Sequence, residues 1–392
     1  MRVRAPVLSV DTTALMKILH VIPALTRGGA ERVVIDLAND AAERGHDVSI
    51  LCAVASSPEL LPQSLRPDVG LRYISSLGLS QRWAYPLMPL WLARNRKWLF
   101  RHDVIHCHLT GGSIFGTLLQ ALRRVHPRPW PVVVETYHAV GMAISNWQRG
   151  FHAALLSKRD AVAFMADDPY WTRFRRSRPN RLFRTIPNGI VPLSAVSTAA
   201  AEQYRRGTTD IPDAAFVVGS IGRLVPARRP DLLLDTFARL VRISGQPLHL
   251  LLAGEGPLRR RLEARARAHG IADRVHLPGL VFNPGEALGV IDLYLTVNVG
   301  ATAGIAALEA AFAGVPVVAL QLQQGYANGA NEWIPSFCET DELARRAAEL
   351  IGDRAALKRL AAAQQTFAAA HRGVDAMARA YEDFYRNALG AS

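Results

Sequence analysis

The feature that most constrains this 392-residue chain is an alternation that runs twice: short apolar runs rich in Val, Ile and Leu, each followed by a stretch of helical period. Such runs read as strands buried on both faces, as in a parallel sheet covered by helices. In the first pass they fall at 17–22, 48–54, 104–107, 132–136, 161–164 and 184–186; in the second, at 216–221, 248–253, 275–277, 293–297 and 316–320. Asp168-Pro169, Pro230 and Pro257 mark helix starts, because proline fits the first helical turn. A further helix is expected over 302–313, and the chain reads as helical from Asp341 onward. Residues 191–215 are rich in Ala, Ser, Thr and Pro without a strong period, so they read as a linker. The implied architecture is α/β: two Rossmann-like domains facing across a cleft. Residues 1–16 precede the first as a leader, 17–190 form it, and the second occupies 191–372. Ligands of such folds sit at the carboxyl ends of the strands.

Charge narrows the partners. The net charge is +13, of which +12 lies in residues 1–190 (25 Lys+Arg against 13 Asp+Glu) and +1 in 191–392 (21 against 20). A basic half suits nucleic acid, a membrane surface or a phosphorylated substrate. Nucleic acid is set aside because the basic clusters carry no recognised binding module. Three cysteines without a CxxC support neither a disulfide framework nor a thiolate zinc site, which points to a reducing cytosol. No apolar run reaches the roughly 18 residues of a membrane span, and no secretory signal is present, so a cytoplasmic protein is expected, at most peripheral on the inner membrane face.

Four segments carry candidate chemistry. TRGGAER at 26–32 follows the first strand; Gly28 and Gly29 let backbone N–H groups approach an anion at a helix N-terminus. It has neither GxGxxG spacing nor a Walker lysine. GRLVPARRPDLLL at 222–234 places Arg223, Arg228 and Arg229 at a strand end before a helix, an arrangement suited to holding a diphosphate. LLAGEGPLRRRLE at 251–263 offers a second glycine turn, Gly254-Glu255-Gly256. GATAGIAALEAAFAGVPVVAL at 300–320 carries Glu309 as the one carboxylate on a small, apolar helix, where a salt bridge or ribose hydroxyls would satisfy it. His106 and His108 share a strand face, but with no third ligand evident they read as cleft-edge packing, and no metal site is expected. Aromatics lie among cations at 82–100 and again around Trp171 and Phe174, a pattern suited to a membrane interface or, equally, to an ordinary helical lid with core tryptophans.

The segments MKILHVIPALTRGGAERVV, VVVETYH, IPNGI, IGRLVPARRPDLLLDTF, LLAGEGPLRRRLE, VHLPG and LEAAFAGVPVVA, in that order over about 17–320, resemble the GT-B glycosyltransferases of family 4. That resemblance implies a retaining, metal-independent hexosyltransferase without cofactor, moving a sugar from a UDP- or GDP-linked donor to a glycan or lipid-diphosphate-linked acceptor in cell-surface polysaccharide or glycolipid synthesis. It implies that Arg223 and Arg228 hold the donor diphosphate, with lysine usual at the second position, and that Glu309 binds the ribose. Gly28, Gly29, Gly254, Glu255, Gly256 and Thr302 would line the substrates, and His138 would lie near the transferred sugar. It also implies that 373–392 form a helix returning to the first domain. Front-face displacement with the leaving phosphate acting as base is the mechanism the resemblance carries. One position departs from the pattern: the first glutamate of E-x7-E, eight residues before Glu309, is Ala301. The sugar contact assigned to that glutamate therefore has no counterpart. Two other readings stay open, a non-catalytic sugar-nucleotide-binding subunit and a GT-B sugar-nucleotide epimerase.

Overall fold

A computed structural model of the chain describes residues 14–26, 28–55, 65–76, 84–123, 130–138, 145–193, 197–298, 302–322 and 333–391. Most of the leader and Ala301 lie outside the described residues.

The first half builds β1 (Lys17–Ile22), α1 (Gly29–Glu43), β2 (Asp47–Val54), β3 (Gly70–Ser75), α2 (Met88–Leu99), β4 (Val104–His108), α3 (Leu109–Leu122), β5 (Val132–Tyr137), α4 (Asn146–Leu156), β6 (Ala161–Phe164), α5 (Pro169–Arg176) and β7 (Leu182–Thr185). Its strands form one parallel sheet in the order β3-β2-β1-β4-β5-β6-β7. The second half contributes α6 (Thr198–Thr208), β8 (Phe216–Ile221), α7 (Pro230–Ser244), β9 (Leu248–Ala253), α8 (Arg259–Ala268), β10 (Val275–His276), α9 (Pro284–Leu288), β11 (Leu293–Asn298), α10 (Ile305–Phe312), β12 (Val317–Gln321), β13 (Ser336–Phe337), α11 (Thr340–Gly352), α12 (Arg354–His371) and α13 (Val374–Gly390). Here the parallel order is β10-β9-β8-β11-β12-β13. Strand order reverses beside β1 and beside β8, which marks a switch point at the carboxyl edge of each sheet.

Several local expectations are corrected. The 191–215 segment contains α6, whose Ala201 enters the same core as Ala287 and Leu288 of α9. The helix expected from 302 starts at Ile305, after Gly304 takes an extended cap conformation. Pro257 lies in a turn, and α8 begins two residues later. Strands β3 and β13 are not expected from the sequence, because β3 sets exposed Gly70 and Arg72 beside partly buried Leu71 and Tyr73, and β13 is only the pair Ser336–Phe337. The terminal helical stretch is broken where Asp353 caps α12, its Oδ1 accepting from the N–H groups of Ala355 (3.0 Å) and Ala356 (2.9 Å).

Two features fix the first half. Glu135 on β5 and Arg159 are 2% and 1% exposed and paired at 2.7 Å. The Ser113 hydroxyl donates to the same carboxylate, and Arg159 also donates to the Ser113 carbonyl. Arg159 Nη1 has no hydrogen-bond partner among the described residues. The second feature is α13, whose Met377, Tyr381, Phe384 and Tyr385 complete the core against β4, β5 and α1. The chain crosses between the halves twice, side by side: Ile190 N–H donates to Arg372 O and Val374 N–H to Ile190 O, both at 3.0 Å. Any side chain on Gly189 would strike the Gly373 carbonyl.

Candidate active site

On the second sheet, the turns after β8 and β9 are locked together. Gly222 N–H donates to Ala253 O and Leu224 N–H to Glu255 O, each at 2.9 Å. Gly254, at φ +150, and Gly256 are required because a Cβ on either would overlap the carbonyls of Gly222 and Leu224. The Glu255 carboxylate is taken by Arg259 at 2.6 Å, so this residue braces the two turns rather than presenting a free carboxylate.

That brace holds Arg223 at the sheet edge. Beyond it, one turn of 3-10 helix (Pro226–Arg228) ends at Arg229, which adopts the left-handed region (φ +49) and pairs with Asp231 at 2.9 Å. Arg223 and Arg228 form no salt bridge with a described residue. Arg228 Nη1 lies 3.3 Å from the site of a Gly304 Cβ, so the missing side chain lets this guanidinium rest at the α10 N-terminus. Arg228 retains open solvent access, yet crowding by the surrounding atoms, and after that the Arg223 charge, hold its pKa below the arginine range. Two cations and a helix N-terminus converge without a counter-charge, which is the electrostatics of an anion site. Thr302 lies in the turn that leads to Gly304.

Glu309, on α10, is 9% exposed and faces α1 of the other half. Burial lifts its pKa to about 7, with Arg32 opposing and Asp36 adding to the shift. Arg32 Nε is already committed to both Asp36 oxygens at 2.9 Å, and no salt bridge to Glu309 forms among the described residues. The salt-bridge alternative raised by the sequence is therefore not realised there. The folded state holds this proton more tightly than the unfolded chain, whose carboxyl titrates near the ordinary 4.5. Its contribution to stability is complete below pH 4.5 and is lost as pH rises through about 7. Glu309→Gln should accordingly raise the urea midpoint at pH 8 and leave it nearly unchanged at pH 4.

The glycine turn of the first half meets this helix. The site of a Gly29 Cβ is 3.1 Å from Ile305 Cγ1, so the turn brings α1 and α10 together. At Gly28 the Glu31 side chain folds back, accepting from Thr26 Oγ1 at 2.8 Å and covering the glycine. The α1 N-terminus thus already has an internal carboxylate.

Across the cleft, β4 ends in His108, and His138 directly follows β5. The reading that no third ligand is evident beside His106 and His108 is corrected: β1 pairs with β4 so that His20 stands opposite His106. Nitrogens of His20, His106 and His108 lie within 4.8 Å of one another. They are close enough to share a metal ion, but both His106 nitrogens are engaged, Nδ1 with Tyr385 OH (2.7 Å) and Nε2 with Thr136 Oγ1 (2.8 Å). His20 Nδ1 and His108 Nε2 share a hydrogen bond at 3.1 Å, and His108 Nδ1 and His138 Nε2 another at 3.0 Å. Burial pushes the pKa of His20 to about 3 and of His138 to about 4, and holds His106 and His108 well below the usual imidazole range. The rings are neutral at pH 7.

One residue escaped the sequence reading. Asn298 ends β11, is 2% exposed, and neither amide atom has a partner among the described residues. The available signal was a polar residue closing an apolar strand. The aromatic clusters also sort differently from a flat membrane belt. Trp91 and Trp98 pack edge to face at 6.0 Å against the core, and Trp171 and Phe174 are buried. Arg175 is tied to Asp167 at 2.6 Å and Arg178 lies over Phe174. Arg94, Arg96, Lys97 and Arg101 remain exposed near Leu87 and Leu90, while Trp147, 76% exposed, stacks on Phe151. Among the described residues no helix is long and apolar enough to cross a membrane.

Comparison with known proteins agrees with this geometry. Residues 27–192 match the model of Glycosyltransferase Family 4 and residues 203–367 that of Glycosyl transferases group 1. The chain is 28% identical to a phosphatidyl-myo-inositol mannosyltransferase of Mycobacterium leprae over 75% of each protein. It is 23% identical to a 2-deoxystreptamine glucosyltransferase of Streptomyces kanamyceticus, over 64% of this chain and 68% of the relative. Anabaena HepE, solved with UDP and glucose, superposes with a TM-score of 0.73 at 20% identity, covering 94% of this chain and 99% of that one. Sucrose-phosphate synthase of Thermosynechococcus elongatus gives 0.76 at 19% identity, over 96% and 100%. With both halves matched in order and two parallel Rossmann-like sheets meeting at their carboxyl edges, the chain belongs to the GT-B glycosyltransferases of family 4.

Proposed function

We propose that this glycosyltransferase moves a hexose from a UDP- or GDP-linked donor to a glycan or lipid-linked acceptor with retention of configuration and without a metal. The observation that carries the reading is the cation pair Arg223 and Arg228, held without a counter-charge beside the α10 N-terminus. A leaving diphosphate supplies the missing charge, and guanidinium forks neutralise it where a metal would otherwise be needed. Glu309 accepts hydrogen bonds from ribose hydroxyls, and His138 contacts the sugar. Once freed, the diphosphate takes the acceptor proton, so no protein carboxylate is needed at Ala301. The resemblance to the HepE complex supports UDP, and the mannosyltransferase relative supports a lipid acceptor. Thermal shifts against nucleoside diphosphates and nucleotide-sugars rank the donors. Turnover of the best donor in excess EDTA then tests metal independence, and tight binding without turnover across an acceptor panel would instead mark a binding subunit.

The exposed cations of α2 with Leu87, Leu90 and Trp147 support peripheral association of the first half with an anionic leaflet on the cytoplasmic side. Co-sedimentation with phosphatidylglycerol vesicles is expected at low salt and should weaken as salt rises; no binding at low salt would end this part of the reading.

A further inference from the structure

The histidines behind His138 form an array whose hydrogen bonds leave little choice of proton position. His138 Nε2 bonds to His108 Nδ1, and His108 Nε2 bonds to His20 Nδ1. A neutral imidazole carries one N–H and one lone pair, so each shared contact needs a donor on one ring and an acceptor on the other. If His20 donates through Nδ1, His108 must accept at Nε2 and donate through Nδ1, and His138 must accept at Nε2 and carry its proton on Nδ1. If His138 donates through Nε2, the chain reverses and all three rings are protonated at Nε2. Mixed arrangements leave two protons or two lone pairs facing each other in a buried site.

We propose that His108 and His20 are positioning residues that set the proton arrangement of His138, so that the three rings switch tautomer together. His138 Nδ1, the nitrogen outside the array, is then offered as a donor in one state and an acceptor in the other, without the ring becoming charged. Three observations support a dedicated role. His20 and His108 are fully buried, where a solitary imidazole would serve packing no better than an aliphatic residue. Leu109, directly after His108, takes φ +58, a left-handed conformation strained for leucine and typical of turns that fix a functional side chain. His106 is held apart by Tyr385 and Thr136, so its ring lies against His108, tilted by 42° with centroids 3.9 Å apart, without entering the relay of hydrogen bonds. Relevance to catalysis rests on the proposed contact of His138 with the sugar; the proton coupling itself does not.

Ring 15N spectra of the histidine-labelled full-length protein, assigned by single substitution, test it. All three rings should show the same tautomer in the free protein and with UDP added; a mixed set would overturn the proposal. His108→Phe should leave His138 averaging between tautomers, and His108→Asn, which keeps a polar atom near the Nδ1 position, should restore a single form. His20→Phe gives a second route should His108→Phe fail to fold. With the donor that the nucleotide-sugar panel selects, His108→Phe should lower kcat about 100-fold and change KM by no more than about threefold. Unchanged kcat in His108→Phe alongside a crippled His138→Ala would sink the positioning role alone. Full activity of His138→Ala would instead sink the sugar contact, leaving the tautomer spectra to judge the array.

Discussion

Replacing Arg228 by alanine should lower turnover by about 10²–10³-fold, the usual loss when one preorganised charge-stabilising group is removed, and leave the unliganded protein at least as stable as before. The second half of that expectation separates a ligand site from a structural cation. Arg228 has no salt bridge among the described residues, and its strongest charged neighbour is the like-charged Arg223. Removing it relieves repulsion in the free protein and deletes attraction only when a diphosphate is present. Urea midpoints and nucleotide-induced thermal shifts, measured together, read the two effects. A less stable free protein, or an unchanged nucleotide shift, would contradict the assignment. Arg228→Lys should lose less activity than Arg228→Ala, because a lysine still meets the phosphate as a point charge although it lacks the bidentate fork. Arg229→Ala, by contrast, breaks only the half-buried pair with Asp231 and should leave turnover nearly unchanged.

The largest stability effect is expected at Glu135. Glu135→Ala leaves Arg159 buried and unpaired, a change worth about 3–5 kcal/mol, and the urea midpoint of the full-length protein should fall accordingly. The pair itself need not be stabilising, since Arg159 Nη1 is already without a partner among the described residues. Replacing both residues with methionine should therefore cost much less than Glu135→Ala alone. Equal losses in the single and double variants would mean that the site depends on packing volume and not on the stranded charge.

What was legible in the sequence follows from what is local. Strands buried on both faces announce themselves as apolar runs, so the inner strands of both sheets could be read, while β3, with Gly70 and Arg72 exposed, and the two-residue β13 could not. Arg223, Arg228 and Glu309 could be named because each sits at a fixed distance from a glycine turn or strand end. Their states were not legible: that Arg229 is consumed by Asp231 while Arg228 is left over depends on a left-handed turn. The histidine array was half visible. His106 and His108 share a face by simple alternation, but His20 lies 86 residues earlier and reaches them only through the pairing of β1 with β4. Likewise nothing local announces that Tyr385 closes on His106 from across 279 residues.

That last contact bears on how the protein is made. The first sheet is complete in the chain by Thr185, yet its core is sealed by Met377, Tyr381 and Tyr385 near the other end. During synthesis the amino-terminal half must wait, with an apolar face open, until the second half has been translated and the last helix has emerged. Residues 17–190 expressed alone would present that uncovered face to solvent, an invitation to aggregate. Separable halves would require the last helix to be joined to the first one by a new linker, because in order of assembly the molecule's first domain is also its last.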